Sequence, residues 1–171
     1  MLITRSEEYG IRLVLRLARE GGQVTVTRLA ELENLPEPTV AKVLLQLRRG
    51  GIVRAERGRK GGYSLAAEPR ALSVARVLGA LGEPLFAGRF CQSEFACACP
   101  NDAECSLRSV WSHIDTMIGK VLEGTSLQDL LGSEESVGRH VLGLWPLEAA
   151  PAPVSNGSGG QGSPAYEGEN A

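Results

Sequence analysis

No stretch of this 171-residue chain approaches the ~18 consecutive apolar residues that span a bilayer. The opening MLITRSEEYG places acidic residues where a secretory signal needs an apolar run. A cytoplasmic protein without a membrane partner is expected. Cysteine is missing outside residues 91–105, and the expected cytosolic setting argues against a disulfide framework there. No Ser-His-Asp set, phosphate loop or pocket of paired carboxylates is legible, and the glycines of Gly58-Arg59-Lys60-Gly61-Gly62 lack phosphate-loop spacing; an enzyme is not expected. There is no internal repeat. Hydrophobic content of 43% and charged content of 22% exclude collagen, a coiled-coil rod and a fully disordered chain.

The net charge of −2 hides an asymmetry. Residues 1–70 carry 13 Lys and Arg against 8 Asp and Glu, and residues 71–171 carry 5 against 12. Between 48 and 60 the excess sharpens: Arg48, Arg49, Arg54, Arg57, Arg59 and Lys60 stand against Glu56 alone. A basic front half on a mildly acidic chain points to a local polyanion site.

Periodicity supplies the elements. Thr4-Arg5-Ser6-Glu7 reads as a capping box, followed by Tyr9, Leu13, Val14, Leu17 and Ala18 at helical spacing until Gly21-Gly22, which predicts a helix over about 5–20. Thr25 caps a short second helix carrying Leu29, Ala30 and Leu32. Pro38 suits the first position of a third, which buries Val40, Val43, Leu44 and Leu47 and stops at Gly50-Gly51. A hairpin then starts at Ile52-Val53, turns through the basic glycine-rich tip and returns along Tyr63-Ser64-Leu65. Ser73 caps a helix with Val74, Val77, Leu78 and Leu81. Leu107, Val110, Trp111, Ile114, Ile118, Val121 and Leu122 make a long helix over 106–123, and Thr125-Ser126-Leu127-Gln128 reads as a second capping box opening a short helix through Leu131. The fold expected is mainly α with a small β-hairpin wing: a winged helix-turn-helix over 1–82, a cysteine loop over 83–105, a dimerisation helix and short following helix over 106–132, and a disordered tail over 133–171.

On the third helix Thr39, Lys42, Gln46 and Arg49 share one face opposite the apolar stripe. A recognition helix needs this arrangement, with one side packed and the other reaching base edges and phosphates of duplex DNA. Lys42 and Gln46 are the candidates for bases, Arg48 and Arg49 for phosphate. At the wing, Arg57, Arg59 and Lys60 suit backbone or minor-groove contact, beside glycines that let the main chain approach closely.

Cys91, Cys97, Cys99 and Cys105 fall within 15 residues. Structural zinc prefers paired knuckles with two to four intervening residues, whereas these gaps are five, one and five, with no histidine in the loop. Thiolates with such spacing favour an iron–sulfur cluster, 2Fe-2S or 4Fe-4S; structural zinc and a thiol switch stay open as alternatives.

These features together resemble the Rrf2 family of bacterial iron–sulfur repressors, the IscR, NsrR and RirA type. The resemblance runs over about 1–131 and rests on TRSEEYGIR, LPEPTVAKVLLQLRRGGIV, RGRKGGYSL and the cysteine loop entering CSLRSVW. It implies a homodimer paired through the long helix, and a palindromic operator with half-sites about one turn, ~34 Å, apart. It implies Cys91, Cys99 and Cys105 as metal ligands, with Cys97 as a spare or alternate ligand. Where some relatives place a ligating histidine this chain has Arg108, whereas Glu8 matches an acidic position that other relatives use from the partner subunit. The cysteine spacing is similar to that of the iron-responsive branch, so control of iron–sulfur assembly or iron homeostasis genes is implied ahead of nitric oxide sensing.

Overall fold

The computed structural model describes residues 3–58, 61–82 and 106–144. Helix α1 (Arg5–Glu20) begins at a true capping box: the Glu7 N–H donates to Thr4 Oγ1 at 3.3 Å and the Thr4 N–H donates to the Glu7 carboxylate at 2.6 Å. Helix α2 (Val26–Glu33) is capped by Thr25 and stops at Asn34, whose left-handed φ of 52° asparagine tolerates better than most residues. The Leu35 N–H then donates to the Ala30 carbonyl at 3.0 Å. This tight end aims the chain into α3 (Glu37–Arg49). Pro36 is its N-cap, so Pro38 falls at the second helical position rather than the first. The difference is harmless, because the amide that proline lacks has no intrahelical partner in the first turn.

Strands β1 (Val53–Glu56) and β2 (Gly62–Leu65) pair antiparallel, with Val53 opposite Leu65 and Glu56 opposite Gly62. The hairpin is bolted down by a second pairing: Val24 and Tyr63 exchange backbone hydrogen bonds of 2.9 and 2.8 Å. Helix α4 (Val74–Gly79) is capped by Ser73. The core draws Leu13, Val14 and Leu17 from α1, Leu29 from α2, and Val40, Val43, Leu44 and Leu47 from α3, closed by Ile52, Leu72, Val77 and Leu81. At α1, a Cβ on Gly10 would overlap Leu81, so this glycine sets how closely the two elements pack.

Helix α5 (Ser106–Gly124) is one residue longer than its pattern suggested. The segment after it returns to the DNA-binding module: the Val74 N–H donates to the Thr125 carbonyl, the Leu127 N–H to the Leu72 carbonyl, both at 2.9 Å, and Leu127 is fully buried. The capping box expected at Thr125 and Gln128 is displaced by one residue. Ser126 and Asp129 cap each other instead, opening a single 3-10 turn over Asp129–Leu131, while the Thr125 hydroxyl donates back to the Val121 carbonyl at 2.7 Å.

The disordered tail expected from 133 is corrected by helix α6 (Glu134–Leu144). Val137, Val141 and Leu144 recur at helical spacing, and the Ser136 N–H donates to Ser133 Oγ at 3.3 Å. His140 Nε2 lies 3.0 Å from the Gly124 carbonyl and 3.6 Å from the Asp129 carboxylate, and Leu144 sits over Gly124, where a Cβ would lie 2.9 Å from its Cδ2. The pattern is short and weakly apolar, and packing against the end of α5 supplies what isolated propensity does not. Residues 145–171 lie outside the described residues. No described helix is long and apolar enough to cross a membrane.

Candidate nucleic-acid interface

Helices α2 and α3 meet through the Asn34 turn, and α1 braces them from behind. The brace is ionic as well as apolar. Glu33, its side chain 10% exposed, accepts from Arg12 Nε at 3.1 Å and from Arg16 Nε at 2.7 Å. Arg12 also donates to the Glu33 carbonyl and lies 5.9 Å from the Tyr9 ring centroid. This triad fixes the last residue of α2, and so the turn that orients α3.

Along α3 the four polar residues do not stand out equally. Lys42 and Arg49 are exposed, whereas Thr39 and Gln46 are half-buried at the edge of the apolar stripe. Gln46 is turned in far enough that its Oε1 is buried without a hydrogen-bond partner among the described residues. Base contact through Gln46 in this rotamer falls to its amide nitrogen, since Oε1 is buried. Leu45, 41% exposed, stands between Lys42 and Arg49 on the outer face, three residues after one and four before the other. It is an apolar group able to meet a thymine methyl. Reading only the polar positions of the helix missed it; the same spacing identifies it.

The wing glycines prove to be used internally. Gly58 has φ 122°, a region that favours glycine; a Cβ on Gly61 would crowd the Gly58 and Glu56 carbonyls, and one on Gly62 would lie 2.8 Å from the Val24 carbonyl oxygen. Gly61 and Gly62 thus serve the hairpin's own close packing. Arg57 is exposed at the end of β1, and Arg54 is tied across the hairpin, donating from Nε to Ser64 Oγ at 3.0 Å. Arg59 and Lys60 lie outside the described residues.

A helix-turn-helix with its wing fixed beside it, followed by one long helix, is the arrangement on which the known proteins converge. The family model for Rrf2, iron-dependent transcriptional regulators, matches residues 3–133. The chain belongs to the Rrf2 family. It is a helix-turn-helix, DNA-binding transcriptional regulator, and its relatives are regulators rather than enzymes. The Bacillus subtilis regulator CymR is 28% identical over 132 residues, covering 76% of this chain and 89% of its own. Its solved structure, described as that of the global cysteine regulator, superposes with a TM-score of 0.63 at 27% identity over 77% of this chain and 96% of that one. The structure of T. potens IscR gives 0.60 at 28% identity, over 77% and 86%. The helix-turn-helix protein slr0846 of Synechocystis is 41% identical over 87 residues, 50% of this chain, which spans only 59% of that relative's length.

The ligand residues proposed for a cluster in this Rrf2 protein are less visible. Cys91, Cys97, Cys99 and Cys105 lie outside the described residues, and no group of three or more metal-binding side chains occurs among those described. Glu8 is described: its side chain is 58% exposed on the first turn of α1 and pairs with Arg12 at 3.7 Å, a common i,i+4 contact. Gly82, the last described residue before the cysteine loop, would place a Cβ 3.6 Å from Glu7 Oε1. The chain therefore departs toward its cysteines from beside that same first turn.

Proposed function

We propose that this Rrf2 protein is a homodimeric repressor whose operator affinity is set by an iron–sulfur cluster on Cys91, Cys99 and Cys105, controlling iron–sulfur assembly or iron homeostasis genes. The observation that carries the reading is position: four thiols within 15 residues separate the DNA-binding module from α5. The donor set fits, because thiolates are the soft anionic ligands of such clusters, with Cys97 or Glu8 from the partner subunit as the remaining donor. Glu8 is solvent-exposed and held, among the described residues, by a single long ion pair. A bound cluster supplies iron-labile and redox-sensitive chemistry. The chain's own part is to order the 88–106 segment against α1 and the helix-turn-helix when its thiolates are ligated. A coupling of ~1–3 kcal/mol between loop order and operator grip changes affinity ~5–150-fold.

The homodimer rests on α5. Its stripe is not buried within one chain: Leu107 and Val110 are 54% and 51% exposed, and Trp111, Ile114, Met117, Ile118 and Val121 are half-buried. A helix about 28 Å long at 1.5 Å per residue with such a face calls for a partner, and a second copy gives the two-fold symmetry of a palindrome. A second reading, a cluster-free regulator responding to cysteine supply, draws on the likeness to CymR. Anaerobic purification followed by absorption spectra, iron and sulfide content, and operator binding by holo, apo and Cys91→Ala protein separates the two. The proposal expects a coloured protein with differing affinities; colourless protein with equal affinities leaves the second reading.

A further inference from the structure

The first turn of α1 and the first turns of α3 border a groove of about 550 Å³, lined by Arg5, Ser6, Tyr9, Pro36, Pro38, Thr39, Lys42 and Val43. No carboxylate lines it among the described residues. Arg5 and Lys42 are exposed and form no ion pair among the described residues, whereas Arg12 and Arg16, further along α1, are both paired with Glu33. Three hydroxyls, on Ser6, Tyr9 and Thr39, share the same lining. Two cations without an ion pair among the described residues, with hydroxyl-bearing side chains around them, make an anion-binding surface. Two prolines wall it rigidly, and its open form suits a chain lying along it better than a caged ion.

We propose that this groove seats one phosphate of the DNA backbone beside each half-site, bound by Arg5 and Ser6 of α1 together with Thr39 and Lys42 of α3. The inference rests on the DNA-binding reading above and adds α1 to the contact surface. Arg5 and Ser6 carry no sequence information in this role; they fix the register in which α3 enters the groove. Lys42, exposed while its neighbours Thr39 and Val43 are half-buried and buried, then lies at the boundary between backbone and base contact.

The test uses full-length protein and an operator selected from a random duplex pool. Arg5→Ala is expected to bind that operator and a shuffled duplex more weakly by the same factor, roughly tenfold. Its plot of log affinity against log salt loses about one unit of slope per protomer, since one phosphate contact carries ~0.9. A methylphosphonate scan supplies the partner half. At one flanking linkage per half-site, removing the phosphate charge weakens the wild type but weakens Arg5→Ala no further. Arg5→Lys, with the charge retained, keeps the wild-type slope, and the scan on wild-type protein alone stands if the alanine variant folds poorly. An unchanged slope in Arg5→Ala, or additive effects at every linkage, overturns the groove while leaving DNA binding intact if Arg49→Ala still loses affinity. A wild type that binds no duplex overturns the DNA-binding reading itself.

Discussion

Replacing Glu33 with Gln tests whether the ionic brace between α1 and α2 holds the helix-turn-helix. The carboxylate receives two charge-assisted hydrogen bonds, at 3.1 and 2.7 Å, at a site where its side chain is 10% exposed. Each such bond is worth about 1.5–3 kcal/mol net. The amide keeps one acceptor oxygen, and Arg12 and Arg16, 39% and 26% exposed, recover hydration, so the loss is well short of a fully buried broken pair. About 2 kcal/mol is expected. At roughly 3 °C per kcal/mol for a chain of this size, the thermal midpoint falls by about 6 °C, read by circular dichroism at pH 7. Because the site is poorly solvated, raising salt to about 0.5 M removes little of the difference. Glu31→Gln is the control. Its pair with Arg28 is as short, 3.0 Å, but both side chains are about 60% exposed, and such a pair contributes about 0–1 kcal/mol. A Glu33→Gln shift below about 1 °C, or one no larger than that of the control, refutes the account of the brace.

Gly62→Ala drives a Cβ against the Val24 backbone on the wing's second pairing. It is expected to cost about 1–3 kcal/mol in urea unfolding, because the two Val24–Tyr63 hydrogen bonds must give; Gly22→Ala, in open space, is neutral or slightly stabilising. Asp129 is held below the usual carboxylate range, first by the Ser126 hydroxyl at 2.6 Å, then by the Ser126 N–H at 2.8 Å, with burial opposing and His140 adding a smaller attraction. Its folded-state pKa being depressed, its contribution is fully present above the unfolded value of about 3.9 and is lost as pH falls through the lower folded value. Asp129→Ala thus costs about 1 kcal/mol at pH 7, as for a lost helix cap, and the gap to wild type in chemical-denaturation curves narrows below about pH 4. A constant gap across that range contradicts the assignment.

The helices of the DNA-binding module were legible because each carries its own punctuation. Thr4 with Glu7, Thr25, and Gly50 with Gly51 mark ends through bonds made within a few residues, and the apolar spacing between them points one way. The second half was less legible for the same reason. Ser126 and Asp129 compete with Thr125 and Gln128 for one cap, and only the burial of Leu127 against the module decides the register. Helix α6 has a faint stripe whose weight comes from contact with α5. Leu45 and the inward turn of Gln46 concern which side of a helix a neighbour covers, and a helical wheel places a residue without saying how its side chain packs.

From the sequence alone came the order of the main helices and strands up to residue 132, the basic excess of residues 1–70, the clustering of four cysteines and the family resemblance. All are local properties of the chain or sums over it. Tertiary structure alone decided that Glu33 is shared by two arginines 21 and 17 residues away, that Gly62 makes room for the Val24 backbone, and that Arg5 and Lys42 border one groove. Those facts depend on which distant surfaces exclude water together, and no spacing along the chain encodes that.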